Sequence, residues 1–470
     1  MSLSTGSPFT VQVPVILNTG GTFNATSGNI SFIGATVTEG TLIDGTGTIS
    51  LSDATLDSVA LTGNGVIDAI EAVLDGDAAI QNSTTVVAGN GDQLTLRGAI
   101  TNTGDISVDA TSSTGPAAVL GVDGNVTLSG AGAVIMSNNP NNIIEGTTGT
   151  DILTNNSTIE GSGNIGNSLM GLTNHGIISA NQGYPLIVQA APAETFSNTG
   201  TVSVSTGSTL EIIGPFANFN AATGSLTGGI FDVAGTLQFN NANIVTNGAN
   251  ITLSGAIVNQ NGVRALADLA NNASSGSLTV AENLTLPSPM ANAGKMVISK
   301  SYTLTLSGAT PAYNQTGGTT TVEGTLSVPA GSVDISGGTL AGTGTISGNV
   351  SGGGTLVAGN STKTAGLLTL SNDYTQLAAG VMDVQIGGTE AGTEYSRLNV
   401  TGPVVLNGTL NITVIAGFSP QLGQTLTILH SPLGVTGTFS TVNGTSINST
   451  EHFRITYTSE SVALTVVSGA

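Results

Sequence analysis

The chain contains no cysteine and no tryptophan, and aromatic residues make up only 4% of its 470 residues. Without cysteine there are no disulfides, no thiolate metal ligands and no cysteine nucleophile. An ordinary globular core of this size would use more large side chains. The composition instead favours a narrow core, one strand wide, built from Val, Ile, Leu, Ala and Thr.

Charged residues are also scarce, at 7% of the chain against about 25% in typical soluble proteins. The formal net charge of −21 comes from 28 acidic and 7 basic residues. With so few Lys and Arg, we expect no binding to nucleic acid or to anionic lipid. We interpret the acidity as a source of solubility for long β surfaces, or as a means of recruiting divalent cations.

The sequence has no apolar run long enough to span a membrane, so we expect no membrane insertion. Residues 1–17 carry no basic charge, and Gln12 and Pro14 interrupt their apolar run. We therefore predict that this chain carries no signal peptide. The absence of cysteine fits a repeat protein that relies on stacking, and we expect an extracellular or bacterial cell-surface location.

Glycine, in contrast, is abundant, with 67 residues. Between Ala312 and Gly359, short apolar steps alternate with Gly, Thr, Ser and Asn, and the phrase Gly-Thr-Leu recurs at Gly324, Gly338 and Gly354. β-Branched residues favour strands, and glycine supplies the positive φ of sharp bends. Such a pattern is typical of a solenoid whose turns stack on one another. The sequence therefore predicts an all-β fold, a right-handed parallel β-helix (β-solenoid) with a C-terminal β-rich cap.

A second phrase indicates the length of one turn. Asn-x-Gly, followed two residues on by an apolar residue, occurs at Asn102, Asn174, Asn198 and Asn292. Asn174 and Asn198 are 24 residues apart, and Asn102 and Asn174 are 72 apart, three times that distance. We therefore predict a turn of about 24 residues, which shortens to about 15 near residue 330.

We divide the chain into a leading strand segment (residues 1–20), the solenoid (21–385) and a C-terminal cap or autochaperone-like β segment (386–470). The leading segment has apolar residues at alternate positions, which is a strand pattern. These residues are Phe9, Val11, Val13 and Val15. We interpret this strand either as the first, capping strand of the solenoid or as a strand donated to the next subunit. In the second case these residues form the assembly contact.

Two stretches have helical spacing, and two dipeptides suggest hairpins. Ile67 to Ile80, the most acidic stretch, is interpreted as a short helix or as further strands with their carboxylates outward. Arg264 to Asn272 is predicted to form a helical excursion of one or two turns. Nearer the C-terminus, Asn407-Gly408 and Asn443-Gly444 predict hairpin turns.

The sequence does not group residues for catalysis. The three histidines are far apart and have no metal-ligand spacing: His175, His430 and His452. Paired carboxylates on one face could cleave a polysaccharide, and the candidates are Asp373 with Asp383 and Asp53 with Asp57. The Lys and Arg that would hold an acidic sugar are scattered singly. We therefore expect no enzyme activity, no cofactor and no metal site.

Several runs of the sequence resemble bacterial autotransporter-type β-strand-repeat proteins. These runs are Tyr313 to Leu326, Gly338 to Ile346, Tyr395 to Gly402, Leu406 to Leu410, Phe418 to Pro420 and Gly437 to Phe439. The resemblance covers most of the chain and is strongest from 290 to 467. It implies a parallel β-helix, an exported protein and an adhesin-like passenger. The motifs consist of structural positions, so they imply no functional site.

The ends of an uncapped solenoid expose unpaired N–H and C=O groups, and a head-to-tail contact that does not close makes a filament. We therefore expect an extracellular structural protein, a solenoid subunit that assembles head-to-tail into fibres or a surface coat. Its partner would be further copies of itself, bound through the termini. One alternative is a monomeric adhesin-like passenger that binds a glycan or a surface protein along the solenoid flank. Another is a polysaccharide-degrading β-helix enzyme.

Overall fold

The computed structural model of the protein describes residues 9–16, 20–80, 84–360 and 363–469. Every regular element in these residues is a β-strand. Nearly all strands pair in parallel with strands one turn away, and they form a β-solenoid of about 17 turns. The all-β solenoid predicted from the glycine-punctuated repeats is confirmed.

The chain divides into two compact units. The first contains the described residues of Met1–Asn220, Gly228–Ala242 and Gly255–Arg264, and the second those of Ala221–Thr227, Asn243–Ser254 and Ala265–Ala470. Within each unit the strands form three columns, and the chain bends sharply at a corner between one column and the next.

In the first unit, the first column contains β1 (Phe9–Val11), β4 (Ile30–Ile33), β7 (Ile49–Ser52), β10 (Val66–Ile70), β13 (Thr85–Ala88), β15 (Asp105–Val108), β17 (Ala133–Met136), β20 (Thr158–Gly161), β23 (Ile177–Ala180), β26 (Thr201–Val204) and β29 (Ser225–Val233). The second contains β2 (Val15–Ile16), β5 (Thr36–Thr38), β8 (Thr55–Asp57), β11 (Ala72–Asp75), β14 (Gln93–Asn102), β16 (Ala118–Ser129), β18 (Asn142–Gly146), β21 (Gly163–Gly166), β24 (Leu186–Gln189), β27 (Thr209–Ile213), β30 (Thr236–Phe239) and β32 (Ala256–Val258). The third contains β3 (Thr22–Asn24), β6 (Thr41–Ile43), β9 (Ala60–Thr62), β12 (Ala79–Ile80), β19 (Asp151–Asn155), β22 (Met170–Asn174) and β25 (Phe196–Asn198), and the long strands β14 and β16 continue into it. A further short strand is β28 (Phe219–Asn220).

In the second unit, β31 (Thr246–Leu253) pairs with strands of the first and second columns. The first column contains β33 (Asn271–Asn272), β36 (Met290–Asn292), β39 (Ala312–Gln315), β46 (Tyr374–Gln376), β49 (Val404–Leu406) and β52 (Val435–Gly437). The second contains β34 (Ser277–Val280), β37 (Lys295–Ile298), β40 (Thr319–Val322), β42 (Thr339–Gly342), β44 (Thr355–Ala358), β47 (Val381–Ile386), β50 (Thr409–Val414) and β53 (Thr441–Asn443). The third contains β35 (Leu284–Pro287), β38 (Thr303–Ser307), β45 (Leu367–Leu370), β48 (Arg397–Val400), β51 (Thr425–His430), β54 (Glu451–Tyr457) and β55 (Ser461–Ser468). Strands β41 (Thr325–Ile335) and β43 (Thr345–Gly352) run through the third and first columns.

Alternation along each strand places a narrow apolar core inside the solenoid. Within β41, Leu326 and Val328 are buried, whereas the flanking Thr325 is half-exposed. The parallel register then stacks like on like, as where Ile30 pairs with Ile49 one turn later. Because each turn buries its apolar side chains against the turns before and after it, stability accumulates along the stack.

Within each unit, asparagine side chains form a buried column at a corner between strands. In the first unit Asn155 donates to Asn174, and Asn174 donates to Asn198, at 2.7 and 2.8 Å. These residues are 19 and 24 positions apart in sequence, so the predicted 24-residue turn holds for the second step only. The same amides also donate to backbone carbonyls, as where Asn174 donates to the carbonyl of Thr201 at 3.2 Å.

Neither stretch with helical spacing forms a helix. The helical excursion predicted for Arg264 to Asn272 is wrong, and of the two alternatives for Ile67 to Ile80 the structure has the strands. Ile67 to Ile80 contains β10, β11 and β12, and its carboxylates face outward, so the strand alternative is confirmed. The spacing resembled a helix because Glu71 sits at a corner with φ +51°, which shifts the phase of alternation between two strands. Arg264 to Asn272 forms a turn over residues 265–268 and then β33.

The hairpins predicted at two Asn-Gly dipeptides are also wrong. The strands that flank Asn407-Gly408 are β49 and β50, and they pair in parallel with β46 and β47 rather than with each other. β53, which ends at Asn443, likewise pairs with β50. Parallel stacking thus continues well beyond residue 386. Antiparallel pairing appears at the C-terminal end, where β55 lies between β51 and β54.

Candidate functional site

The four apolar residues predicted to form an assembly contact lie in and between the first two strands. Phe9 and Val11 belong to β1, which pairs with β4 of the same chain. Val11 is buried, whereas Val13 is 62% exposed. Val15 begins β2, which pairs with β5. The leading strand is therefore the first strand of its own solenoid, and an assembly role for its outer edge stays a prediction.

The candidate catalytic carboxylates are held by separate local contacts. Asp53 lies in the corner between β7 and β8, and Asp57, at the end of β8, accepts a hydrogen bond from the neighbouring serine hydroxyl at 3.0 Å. Asp373 precedes β46, whereas Asp383 lies in β47 and accepts a hydrogen bond from Asn411 at 2.8 Å. Neither pair lines the cleft described below.

The histidines are dispersed over the solenoid. His175 is exposed, and its Nδ1 lies 2.5 Å from the hydroxyl of Thr199. His430 ends β51, and His452 lies in β54. Across residues 9–16, 20–80, 84–360 and 363–469, no group of three or more His, Cys, Asp or Glu side chains could hold a metal ion.

Asp151 anchors a loop of the first unit through hydrogen bonds to its carboxylate. The Thr148 N–H and hydroxyl donate at 2.7 and 2.9 Å, and the Thr147 hydroxyl donates at 2.9 Å. Gly124 N–H donates from an adjacent turn at 3.1 Å. Burial disfavours the charged carboxylate, but these hydrogen bonds outweigh it and lower the pKa of Asp151. The carboxylate therefore closes the loop.

One outward column of the first unit carries charges of both signs, three carboxylates and one guanidinium. Asp57 pairs in register with Asp75, and Arg97 pairs with Asp123. The Arg97 guanidinium lies 2.6 Å from the carboxylate of Asp123 and 3.6 Å from that of Asp75. The arginine thus bridges carboxylates of the turns before and after it. The group is partly exposed and its cation is already paired, so it offers structural support rather than a binding site.

The second unit carries a polar surface on its third column, here called the hydroxyl face. One cation borders it, because Arg397 Nε donates to the side-chain oxygen of Asn399 at 2.8 Å. The outward side chains of the hydroxyl face form two side-chain columns that continue from turn to turn. The first side-chain column is Asn283, Thr303, Thr325, Thr345, Thr369 and Asn399, and the second side-chain column is Thr285, Thr305, Ser327, Ser347, Ser371 and Thr401. Successive turns lie about 4.8 Å apart, and the two columns about 6.7 Å apart along the strand. The face therefore presents hydroxyl and amide groups at regular intervals.

A cleft of about 550 Å³ opens on the second column of the same unit. Its floor is backbone, because Gly276, Gly294 and Gly318 stack at one corner and contribute no side chains. Gly318 has φ +54°, and a Cβ added there would lie 1.9 Å from the carbonyl oxygen of Gly294. Only glycine fits this close approach of one turn to the next, so the corner is a notch in the surface.

The walls of the cleft are polar and contain one cation. Ser277, Lys295 and Thr319 are in register on β34, β37 and β40. Asn360 reaches the cleft from the loop that follows β44, and its amide donates to Glu323 at 2.9 Å. Lys295 is exposed, and within the described part of the chain its ammonium has no hydrogen-bond or ion-pair partner.

The buried Asn column of this unit fixes the backbone below the cleft. Asn272 donates to Asn292 at 2.7 Å and to the carbonyl oxygen of Lys295 at 3.0 Å. Asn292 in turn accepts from the N–H of Gly294 at 3.2 Å. The position of Lys295 is thus set by the interior of the solenoid, so the cleft is pre-formed.

Sequence reasoning missed Lys295 and the cleft around it. The signal was present, because the corners of this column read Gly-Ser at 276, Gly-Thr at 318, 338 and 354, but Gly-Lys at 294. A lysine that interrupts a repeating Gly-Thr phrase, in a chain with so few basic residues, marks a position worth testing for function.

Neither the protein-family models nor the curated proteins compared with this chain give a match. Nothing in the described part of the chain forms a helix long and apolar enough to cross a membrane. Any function must therefore be argued from the surfaces described above.

Proposed function

We propose that the protein is a non-catalytic, adhesin-like β-solenoid that acts outside the cell or on a bacterial surface and binds a neutral glycan along its hydroxyl face. The observation that carries the proposal is the register of that face, in which hydroxyl and amide side chains repeat over successive turns, with Arg397 bordering them at Asn399.

The chemistry of the hydroxyl face favours a neutral polymer rich in hydroxyl groups. The chain has a net charge of −21, yet the columns that include Thr325 and Ser327 contain no charged residue. Each hydrogen bond to a sugar would contribute only about 0.5–1.5 kcal/mol. A repeating ligand can engage many such sites at once, and its overall affinity then greatly exceeds that of one contact.

Co-sedimentation with insoluble polysaccharides tests this proposal. The purified chain would be mixed with cellulose and with chitin, and the bound fraction measured after centrifugation. A double variant, Thr325→Val with Thr345→Val, removes two adjacent hydroxyls at nearly constant shape. Thr158→Val with Thr201→Val is the matched control, because both residues are half-exposed on strands of the first unit.

We expect the wild type and the control to sediment with at least one of these polymers, and the hydroxyl-face variant to sediment several-fold less. If the wild type remains in solution with both polymers, or if the two double variants bind equally, the hydroxyl face is not the binding surface.

A second candidate function is self-assembly, and the first turn of the solenoid supports it. Strands β1, β2 and β3 each pair with described residues on one edge only. Unpaired strand edges can add a strand from another chain. Near the C-terminus β55 covers β51 in antiparallel orientation. This hairpin opposes a continued parallel stack, which is why assembly ranks second.

Electron microscopy and light scattering of the purified chain distinguish the two functions. If assembly uses the leading strand, the wild type should form fibres and a chain lacking residues 1–17 should remain monomeric. Identical fibres from both chains would remove the leading strand from the assembly model, and single particles at high concentration would remove assembly itself.

A further inference from the structure

We infer that the cleft around Lys295 is a binding site for a carboxylate-bearing sugar, a uronic acid unit of an acidic glycan. This site lies on a different column from the hydroxyl face and carries a different charge. The inference therefore goes beyond the proposed function and can fail or succeed independently of it.

The charge of the cleft points to an anion. The chain has 7 basic and 28 acidic residues, and Lys295 is the one charged residue among the described residues that line this cleft. Its ammonium has no partner within the described part of the chain, whereas Arg97 is held between two carboxylates. An exposed lysine that forms no ion pair is available to pair with a ligand carboxylate.

One carboxylate, that of Glu323, contacts the wall of the cleft through Asn360. Its Oε1 accepts a hydrogen bond from Asn360, the loop residue that forms one wall. This hydrogen bond stabilises the Glu323 carboxylate beside the wall, and Glu323 forms no ion pair with Lys295 in the described residues. Asn360 also holds a carbonyl oxygen free to accept from a sugar hydroxyl.

The remaining surface of the cleft suits a sugar ring. Its volume of about 550 Å³ falls in the usual range of small-ligand sites. Hydroxyl-bearing side chains surround the lysine, namely Ser275, Ser277, Thr319 and Thr321. The glycine floor lets a ring approach the backbone closely. The lining contains no aromatic or large aliphatic residue, which argues against a lipid or an aromatic ligand.

A titration with defined oligosaccharides tests the site. The probes are trigalacturonic acid and a neutral trisaccharide of the same length, added to the full chain and followed by isothermal calorimetry. Lys295→Gln removes the cation from the cleft. Lys300→Gln is the matched control, since it makes the same charge change at an exposed position outside the cleft. Lys295→Arg keeps the charge.

We expect the wild type, Lys300→Gln and Lys295→Arg to bind the acidic probe, and Lys295→Gln to bind it at least about tenfold more weakly. The neutral probe should bind weakly to all four proteins. Circular dichroism of each variant verifies that the solenoid is intact.

Three outcomes would overturn the inference. Equal losses in Lys295→Gln and Lys300→Gln would reduce the effect to net charge. Equal binding of the neutral and acidic probes would remove the role of the carboxylate. Competition by inorganic phosphate at the concentration of the sugar would assign the cleft to a simple anion. None of these results depends on the hydroxyl face, whose double variant should bind the acidic probe as the wild type does.

Discussion

The side-chain amide of Asn272 donates a hydrogen bond to the side-chain oxygen of Asn292, at 2.7 Å, across adjacent turns of the second unit. Both residues are buried. Asn292 continues the chain of bonds, because its amide donates to Gln315 and to Thr320 at 3.2 and 2.9 Å. A polar residue inside a narrow apolar core is tolerated here because every turn supplies the partner of the next.

Replacing Asn292 by alanine should therefore destabilise the second unit. The change removes one acceptor of the Asn272 amide and deprives Gln315 of a donor, so we expect a loss of about 2–4 kcal/mol in the free energy of unfolding. Urea denaturation followed by circular dichroism measures it. Asn349→Ala, at an exposed position, is the control and should change stability by less than about 0.5 kcal/mol. Similar denaturation midpoints for the two variants would show that the column is not stabilising.

Replacing the buried Asp44 should, in contrast, stabilise the first unit. Its side chain is 1% exposed, and neither carboxylate oxygen has a hydrogen-bond partner in the described residues. The carboxylate packs against Gly63, where an added Cβ would meet Oδ1 at 1.6 Å. Burying an unpaired carboxylate is costly. Asp44→Asn removes the charge at constant size, and we expect it to raise stability by at least about 1 kcal/mol at neutral pH.

Thermal unfolding of Asp44→Asn beside Asp57→Asn checks this prediction. Asp57 is a half-exposed strand residue, so its substitution corrects for the general benefit of lowering a net charge of −21. A melting temperature for Asp44→Asn equal to or below that of the control would contradict it.

Arg97 should matter more at low salt than at high salt. Its removal leaves the carboxylates of Asp75 and Asp123 without the cation that bridges them. Because these groups are partly exposed, we expect Arg97→Gln to cost about 0.5–1 kcal/mol at low ionic strength. The loss should shrink in about 0.5 M NaCl, where screening acts over only a few ångströms. Arg454→Gln, on an exposed position of β54, should show no such salt-dependent loss. A loss that is unchanged by salt would point to packing of the arginine stem instead.

Asp151 should make the first unit sensitive to acid. The hydrogen bonds of its loop hold the pKa of Asp151 below the ordinary value of an aspartate, in spite of its burial. A carboxyl group whose pKa is lowered in the folded state stabilises that state above the unfolded pKa, and this stability is lost as pH falls through the folded pKa. Asp151→Asn should thus be less stable than the wild type by about 1–3 kcal/mol near pH 7, and the difference should narrow at acid pH.

Urea denaturation at several pH values tests the Asp151 prediction. Asp232→Asn is the control, because Asp232 is exposed on β29 and accepts no hydrogen bond in the described residues. If the gap between wild type and Asp151→Asn is constant from neutral to acid pH, the carboxylate does not hold the loop through its charge.

The fold was predictable because glycine corners and aliphatic steps are local signals. The sequence did not predict which face of the solenoid each glycine corner belongs to. The phrases at Gly338 and Gly354 are one turn apart, since Thr339 pairs with Thr355. The phrase at Gly324 belongs to another face, because Thr325 pairs with Thr345. The same Gly-Thr-Leu phrase thus occurs both at equivalent positions of successive turns and on different faces of the solenoid. Only the hydrogen-bond register shows which of the two relationships applies.

The cleft could not be derived from sequence for a similar reason. Its wall is completed by Asn360, which reaches it from a loop two strands later in its column, after the backbone bridge between Gly342 and Gly359. Such a contact depends on where a loop folds back, and no periodicity encodes it. Lys295 alone was visible, as the interruption of a repeating phrase.

Because register is set where strands stack, the corners are free to differ in length without disturbing the stack. The segment between β15 and β16 runs from Asp109 to Ala117 while the strands on either side keep their partners. A foreign peptide inserted there, between Thr111 and Pro116, would lie outside the paired strands. The solenoid could then serve as a scaffold that presents an epitope from a chosen turn.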